Sequence, residues 1–297
     1  MPSRRDPARP GKTPPGPQEE PNGKTPPKRR AAGEGRRGEP LFVASLEKGL
    51  RVLKAFGEDR PSMGLGEIAA ATGLDKSAAQ RFANTLYELG YLTKDPVTRR
   101  YQPGVRLLDL AFPFLCHNRL AEVAIPRLIE AGRVYDTTVN LCQLDGLEIV
   151  YTLRIPNEKS AFIATVLGRR MPAYCTAGGV VMLAFRPDEE VEAIVDASDR
   201  RPMTRHTIVE RDAVLKRIAK ARENGYDVGV SQAQPNEISV AAPIFDRRKQ
   251  VFAAVQIPIL MPRWTEAAAH RKIAPLAIEI ARGLSGQVSP EEMGIEP

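Results

Sequence analysis

The chain has 297 residues, 42% of them hydrophobic, enough for roughly two ordinary domains with cores of their own. No apolar run reaches the ~18 residues of a membrane span, and no apolar leader opens the chain. Three widely spaced cysteines without a CxxC pair argue against a disulfide framework or a structural zinc, so a cytoplasmic setting with no metal and no cofactor is expected. The net charge of +7 lies at the front: residues 1–40 carry +5, residues 41–105 carry +2, and the remainder is neutral. A polyanionic partner is therefore expected to meet that end.

Residues 1–40 hold ten of the 26 prolines and almost no large apolar side chain. Such a composition predicts a disordered basic tail. From 41 to 104 the pattern becomes helical. Leu46, Gly49, Leu50, Leu53 and Phe56 recur at helical spacing, and a second helix spans about Leu65 to Ala71 and stops at Gly73. Asp75 is a good N-cap for a third, running to about Leu89 and ended by Gly90. One face of that third helix carries Ala79, Phe82, Ala83 and Leu86. The other carries Ser77, Gln80, Arg81, Asn84 and Glu88, mostly neutral hydrogen-bonding groups with one guanidinium, which suit base edges in a major groove.

A two-stranded ribbon is predicted next, Tyr91–Lys94 and Thr98–Gln102 around Asp95-Pro96, with Arg99 and Arg100 just past the turn. Three helices and a basic ribbon make a winged helix-turn-helix. Ser77, Gln80, Arg81 and Asn84 are expected at bases or nearby phosphates, and Lys76, Arg99 and Arg100 at the backbone. The segment GLGEIA at 64–69 resembles a dinucleotide fingerprint, but it follows Arg60-Pro61-Ser62 instead of a hydrophobic strand, so that reading fails.

Residues 105–118 read as a linker helix with more apolar surface (Leu107, Leu108, Leu110, Phe112, Phe114) than one small domain needs. Pairing of two copies explains the excess, and Pro113 is expected to end or kink the helix near Ala111. Residues 119–290 read as an α+β domain. The expected elements are a helix Leu120–Val134 containing Pro126, strands Thr138–Leu144 and Glu148–Arg154 joined at Asp145-Gly146, and helices 176–186, 189–196 and 210–224. Strands Ile238–Phe245 and Val251–Ile259 follow, then a helix 265–283 capped by Thr265 and containing Pro275.

The helix capped by Thr176 opens with Ala177, Gly178 and Gly179, and each glycine costs it about 1 kcal/mol relative to alanine. Either a ligand approaches that backbone or the helix packs tightly on the sheet; its unpaired N–H groups suit a carboxylate. No GxSxG, HExxH or P-loop is present, and His117, His206 and His270 are scattered, so no catalytic residue is assigned. Three functions stay open: a ligand-responsive DNA-binding regulator, an acyl-acid hydrolase in the back half, and a ligand-independent architectural DNA binder.

Over residues 41–285 the sequence resembles the isocitrate lyase regulator (IclR) family of bacterial transcription factors. The resemblance rests on ordered segments: SLEKGLRVL at 45–53, EIAAATGL at 67–74, LYELGY at 86–91, YQPGVRLL at 101–108, MPAYCTA at 171–177, RENGY at 222–226 and ISVAAPIFD at 238–246. The PAYCT variant is most similar to the branch that controls aromatic-acid breakdown. The resemblance implies a winged-helix reader, a linker helix and a GAF-like α+β effector-binding domain, assembled as a dimer or dimer of dimers on a double-stranded operator. It further implies a small organic acid as effector, with Ala177 and Gly178 as backbone donors, Ser239 and Gln256 as polar contacts, and Met171, Tyr174 and Cys175 as the wall. The run Ala177-Gly178-Gly179-Val180 lacks the bulkier and basic residues often found there, so the identity of the acid does not carry over.

Overall fold

The structure, a computed structural model, describes residues 41–157 and 167–288. The stretch read as a basic tail and the last two positions of the expected back domain lie outside the described residues.

The front part consists of α1 (Ala44–Lys54), α2 (Leu65–Thr72), α3 (Lys76–Glu88) and a ribbon of β1 (Leu92–Lys94) and β2 (Tyr101–Pro103). Local chemistry sets the turn between α2 and α3. Gly73 takes the left-handed conformation at φ 65°, which only glycine adopts without strain. Asp75 then accepts a hydrogen bond from the Ala78 N–H at 2.8 Å, closing an open donor at the start of α3. Val52, Ile68, Ala79, Ala83, Leu92 and Tyr101 form the core. Met63 and Tyr101 exchange backbone hydrogen bonds of 2.9 and 2.8 Å, so the ribbon is stitched to the segment before α2. Its strands are shorter than the sequence predicts, because Asp95 accepts from the Val97 and Thr98 N–H groups and bends 95–100 into a loop. Leu46 and Leu50, expected on the inner side of α1, are 63% and 46% exposed; Val52 is the buried residue of that helix.

α4 (Leu107–Cys116) continues through Pro113, so the helix does not end near Ala111. The proline removes one helical hydrogen bond, but its own carbonyl still accepts from the His117 N–H at 3.1 Å, with the His117 ring Nδ1 at 2.8 Å, so the last turn closes. None of its residues is buried, and Leu108 and Phe112 are 65% and 64% exposed.

The back part is a six-stranded antiparallel sheet between two helical layers. In chain order it contains α5 (Arg119–Tyr135), β3 (Val139–Asp145), β4 (Glu148–Ile155), β5 (Arg170–Pro172), α6 (Ala177–Ala184), α7 (Asp188–Ala197), α8 (Arg211–Asn224), β6 (Asp227–Val230), β7 (Glu237–Phe245) and β8 (Val251–Leu260). It ends with α9 (Glu266–Ala268), a π-helical turn Ala269–Ile273 and α10 (Ala274–Leu284). The strand order is β5-β4-β3-β8-β7-β6. The last helix is therefore segmented, and Pro275 lies in the first turn of α10, where its missing N–H costs least.

Both faces of the sheet are covered, which is why β7 and β8 read as near-continuous apolar runs. Alternation still separates the faces. Val139, Leu141, Ile238, Val240, Val255 and Ile257 point to α5 and α10. Cys142, Ala241 and Ala254 point to α6 and α8.

α6 lies very close to the sheet and to the turn before it. A Cβ at Gly179 would stand 2.2 Å from the Ala173 carbonyl oxygen, and one at Gly178 would stand 2.5 Å from the Cys142 sulfur and 3.0 Å from Gln256 Oε1. Packing thus accounts for Gly179. A Gly179→Ala substitution gains about 1 kcal/mol of helix propensity but drives a methyl into backbone that cannot yield. We expect a net loss of about 1–3 kcal/mol, measured as a lower urea midpoint.

Candidate functional site

Two surfaces carry the residues that sequence reasoning singled out. On α3, Lys76, Ser77, Gln80, Arg81 and Asn84 are all exposed, while Ala79 and Ala83 anchor the opposite face in the core. The N-cap at Asp75 fixes where that polar face begins. In the wing loop Arg99 is exposed and holds a left-handed backbone at φ 59°, and Lys94 Nζ stands 4.8 Å above the Tyr101 ring.

Arg100 does not project beside Arg99 as expected. Its guanidinium turns inward, donating to the Ser62 hydroxyl at 3.1 Å and the Ser62 carbonyl at 2.7 Å and pairing with Glu67 at 2.8 Å. Glu67 also accepts from the Gly64 N–H at 2.6 Å. That hydrogen bond, with Arg100 after it, holds the Glu67 carboxyl below its ordinary range. The physical reason is the bend of the loop at Asp95, which leaves Arg100 next to the start of α2.

The second surface is a small cavity, about 10 Å³, beneath the N-terminus of α6. Cys175, Ala177, Ser239 and Gln256 line it as the resemblance implies, joined by Thr176, Gln232 and Glu237, which sequence reasoning missed. Gly178 adjoins it through its close approach to Gln256. Thr176 Oγ1 accepts from the Gly179 N–H at 3.3 Å, while the Ala177 and Gly178 N–H groups stand in the first turn, where a helix offers no backbone acceptor.

Met171 and Tyr174 are not at the cavity. Met171 pairs with Ile149 across β5 and β4 and is buried among the side chains around α6, and the Tyr174 hydroxyl donates to the Arg201 carbonyl instead. Both lie too deep in the packing behind the Ala173–Cys175 turn to form the wall. Burial pushes the Cys175 thiol up to about 11, only partly opposed by nearby Arg217. The residue is a packed wall group, not a nucleophile.

Arg217 holds the cavity's frame. It donates to the Asp227 carboxylate at 2.6 and 3.1 Å, to the Cys175 carbonyl at 3.0 Å and to Gln232 Oε1 at 3.3 Å. Its position on the stripe Val214, Arg217, Ile218 and Ala221 was the available signal: an arginine on the buried face of a helix needs a buried partner. On the floor, Gln256 Nε2 donates to the Tyr151 hydroxyl at 3.0 Å. Arg169, whose charge acts on Glu237, also pairs with Glu58 of the front part at 3.1 Å, linking the cavity's surroundings to the segment between α1 and α2.

A reader helix on a winged helix-turn-helix, joined by a helix to an α+β domain with its own polar cavity, defines a DNA-binding transcriptional regulator with a separate effector domain. The family model described as "IclR helix-turn-helix domain" matches residues 45–96, and that described as "Bacterial transcriptional regulator IclR C-terminal" matches residues 114–286. The chain belongs to the IclR family, whose named members are regulators and not enzymes.

The Pca regulon regulatory protein of Pseudomonas putida is 29% identical over 252 residues, covering 84% of this chain and 86% of that protein. The crystal structure of an IclR family transcriptional regulator from Brucella abortus aligns with TM-score 0.72 at 25% identity, over 84% of this chain and 93% of that one. An IclR homologue from Microbacterium hydrocarbonoxydans, complexed with 4-hydroxybenzoate, shares the fold with TM-score 0.66 at 21% identity, over 81% of this chain and 97% of that one. Among the described residues no helix is long and apolar enough to cross a membrane, and no group of His, Cys, Asp or Glu could hold a metal ion.

Glu237 gives the cavity a pH signature. Burial raises its carboxyl from the ordinary 4.5 to about 7, against the opposing pull of Arg154 and Arg169. The folded chain then holds a proton that the unfolded chain has released. This contribution to stability is present below about pH 4.5 and is lost as the pH rises through about 7. Glu237→Gln is expected to flatten the fall in melting temperature across that window and to leave the variant more stable than the parent at pH 8.

Proposed function

We propose that this chain is a cytoplasmic, effector-gated operator-binding protein whose back domain takes a small organic acid beneath the N-terminus of α6. The observation that carries the reading is the cavity itself: a helix start with open N–H groups faces the buried polar side chains of Ser239 and Gln256 on the sheet. Ala177 and Gly178 supply backbone donors to the carboxylate, Ser239 and Gln256 supply polar contacts, and Cys175 closes one side. The Microbacterium homologue's 4-hydroxybenzoate and the Pca regulator's similarity favour an aromatic acid. A cavity of about 10 Å³ admits only the first atoms of a headgroup, so a ring requires its wall to move.

On the DNA side Ser77, Gln80, Arg81 and Asn84 read bases or adjacent phosphates, while Lys76 and Arg99 engage the backbone. The apolar exposure of α4 and of Leu46 and Leu50 on α1 supplies a surface for a second copy. Two copies read a two-fold related operator, and the acid shifts the pair between arrangements by binding one better.

Calorimetry against a panel of aromatic and short aliphatic acids tests the sensor: saturable binding without turnover is expected, and turnover or no binding by any acid overturns it. Arg81→Ala should cost about 1–3 kcal/mol of specific operator affinity. Arg99→Ala should weaken operator and random DNA alike and lower the salt slope by roughly one. Arg100→Ala should leave that slope in place, since its guanidinium is engaged with Glu67 and Ser62; fluorescence anisotropy across a salt series reads all three.

A further inference from the structure

Among the described residues one ion pair joins the front part to the back part. Arg169 Nε stands 3.1 Å from Glu58 Oε1, and the Arg169 Nη2 donates to Glu58 Oε2 at 3.3 Å, a two-pronged contact. No helix or strand of the front part packs broadly on one of the back domain, and α4 between them buries none of its residues. The orientation of the reader helix against the back domain therefore leans on this pair.

Both partners are held in place. Glu58 lies in a tight turn in which Gly57 and Arg60 exchange backbone hydrogen bonds of 3.3 and 3.0 Å. Met63, just beyond it, is stitched to Tyr101 of the ribbon, so the turn moves with the reader domain. On the other side the Arg169 carbonyl accepts from the Tyr151 N–H at 3.0 Å, and the Gly168 N–H donates to the Tyr151 carbonyl at 2.8 Å. Those bonds tie the arginine's backbone to β4, at the residue whose hydroxyl meets Gln256 on the cavity floor. The neighbouring Arg170 is engaged by Asp145 and Glu148 instead.

The same guanidinium lies within electrostatic reach of Glu237, which lines the cavity. The charged groups that face Glu237 are Arg154 of β4 and Arg169, and the Tyr151 hydroxyl also feels its charge. Arg154 projects from within the strand; Arg169 is the one of the two that is also bonded to the front part. We infer that Arg169 is a latch shared between the two parts: with Glu237 uncharged it grips Glu58 and fixes the reader domain, and ionisation of Glu237 draws the guanidinium toward the cavity and frees that domain to turn about α4.

The input is the charge of Glu237 itself, so the latch does not rest on the acid-sensor reading. Exposed ion pairs contribute little on their own, and the Glu58 side chain is 67% exposed; a competing carboxylate in less polar surroundings is enough to unseat it. Burial keeps Glu237 protonated up to about 7, so the latch is closed below that pH and opens above it.

The test is single-molecule energy transfer on the full chain, with dyes on Glu88→Cys of α3 and Lys220→Cys of α8 in a Cys116→Ser background. Dilution into excess unlabelled chain leaves one labelled copy in each assembly. One distance is expected at about pH 6, with a second, longer population at about pH 8. Glu237→Gln should keep the single distance at both pH values. Glu58→Gln, an exposed change that spares the core, should show the second population at both, and Arg169→Gln should match it. A Glu58→Gln variant that follows the parent at both pH values overturns the latch. A pH response that persists in Glu237→Gln removes Glu237 as its trigger, and a parent without any pH response shows that Arg154 alone takes up the charge, which overturns the inference as well.

Discussion

The back domain depends on how closely α6 approaches the sheet. Two adjacent glycines let its first turn settle within contact distance of Cys142, Gln256 and the Ala173 carbonyl, nearer than any side chain would permit. That approach brings the positive end of a helix over a strand surface that carries amide and hydroxyl groups in place of aliphatic ones. Arg217 secures the arrangement from behind, gripping Asp227 on β6 and the Cys175 carbonyl at the mouth of the helix with one buried guanidinium. Removing that guanidinium would leave Asp227 charged and unpaired inside the protein, so breaking the pair would cost about 3–5 kcal/mol of stability as well as the frame of the site.

What sequence reasoning could read followed the range of the forces involved. The helix-turn-helix was legible because its determinants are local: a capping aspartate, a left-handed glycine and apolar residues at helical spacing all act within one turn. The β3–β4 hairpin was legible for the same reason at Asp145-Gly146. The strands β5 and β6 were not, since three or four residues carry little periodicity and their pairing is fixed by β4 and β7, strands that lie beyond an intervening stretch of chain. Pro113 does not end α4 because a proline costs the helix about one hydrogen bond and a clash, and the last turn still closes at His117. Arg100 misled because charge composition cannot show which of two neighbouring arginines finds an internal carboxylate.

The cavity was half legible. Ser239 and Gln256 came from the family resemblance, whereas Glu237 and Gln232 gave no local signal. A polar residue in a strand buried on both faces looks like an ordinary solvent-facing residue until the second helical layer is known. Met171 and Tyr174 erred in the opposite sense: they neighbour the glycine turn in sequence, but the turn carries their side chains away from the cavity.

The pair of glycines at the start of α6 also limits how this chain could be retuned. A side chain at either position would strike the Ala173 backbone or the packed Cys142 sulfur. Changes in what the cavity accepts are therefore confined to the strand floor opposite, where the Ser239 hydroxyl and the Gln256 amide can be replaced without lifting the helix.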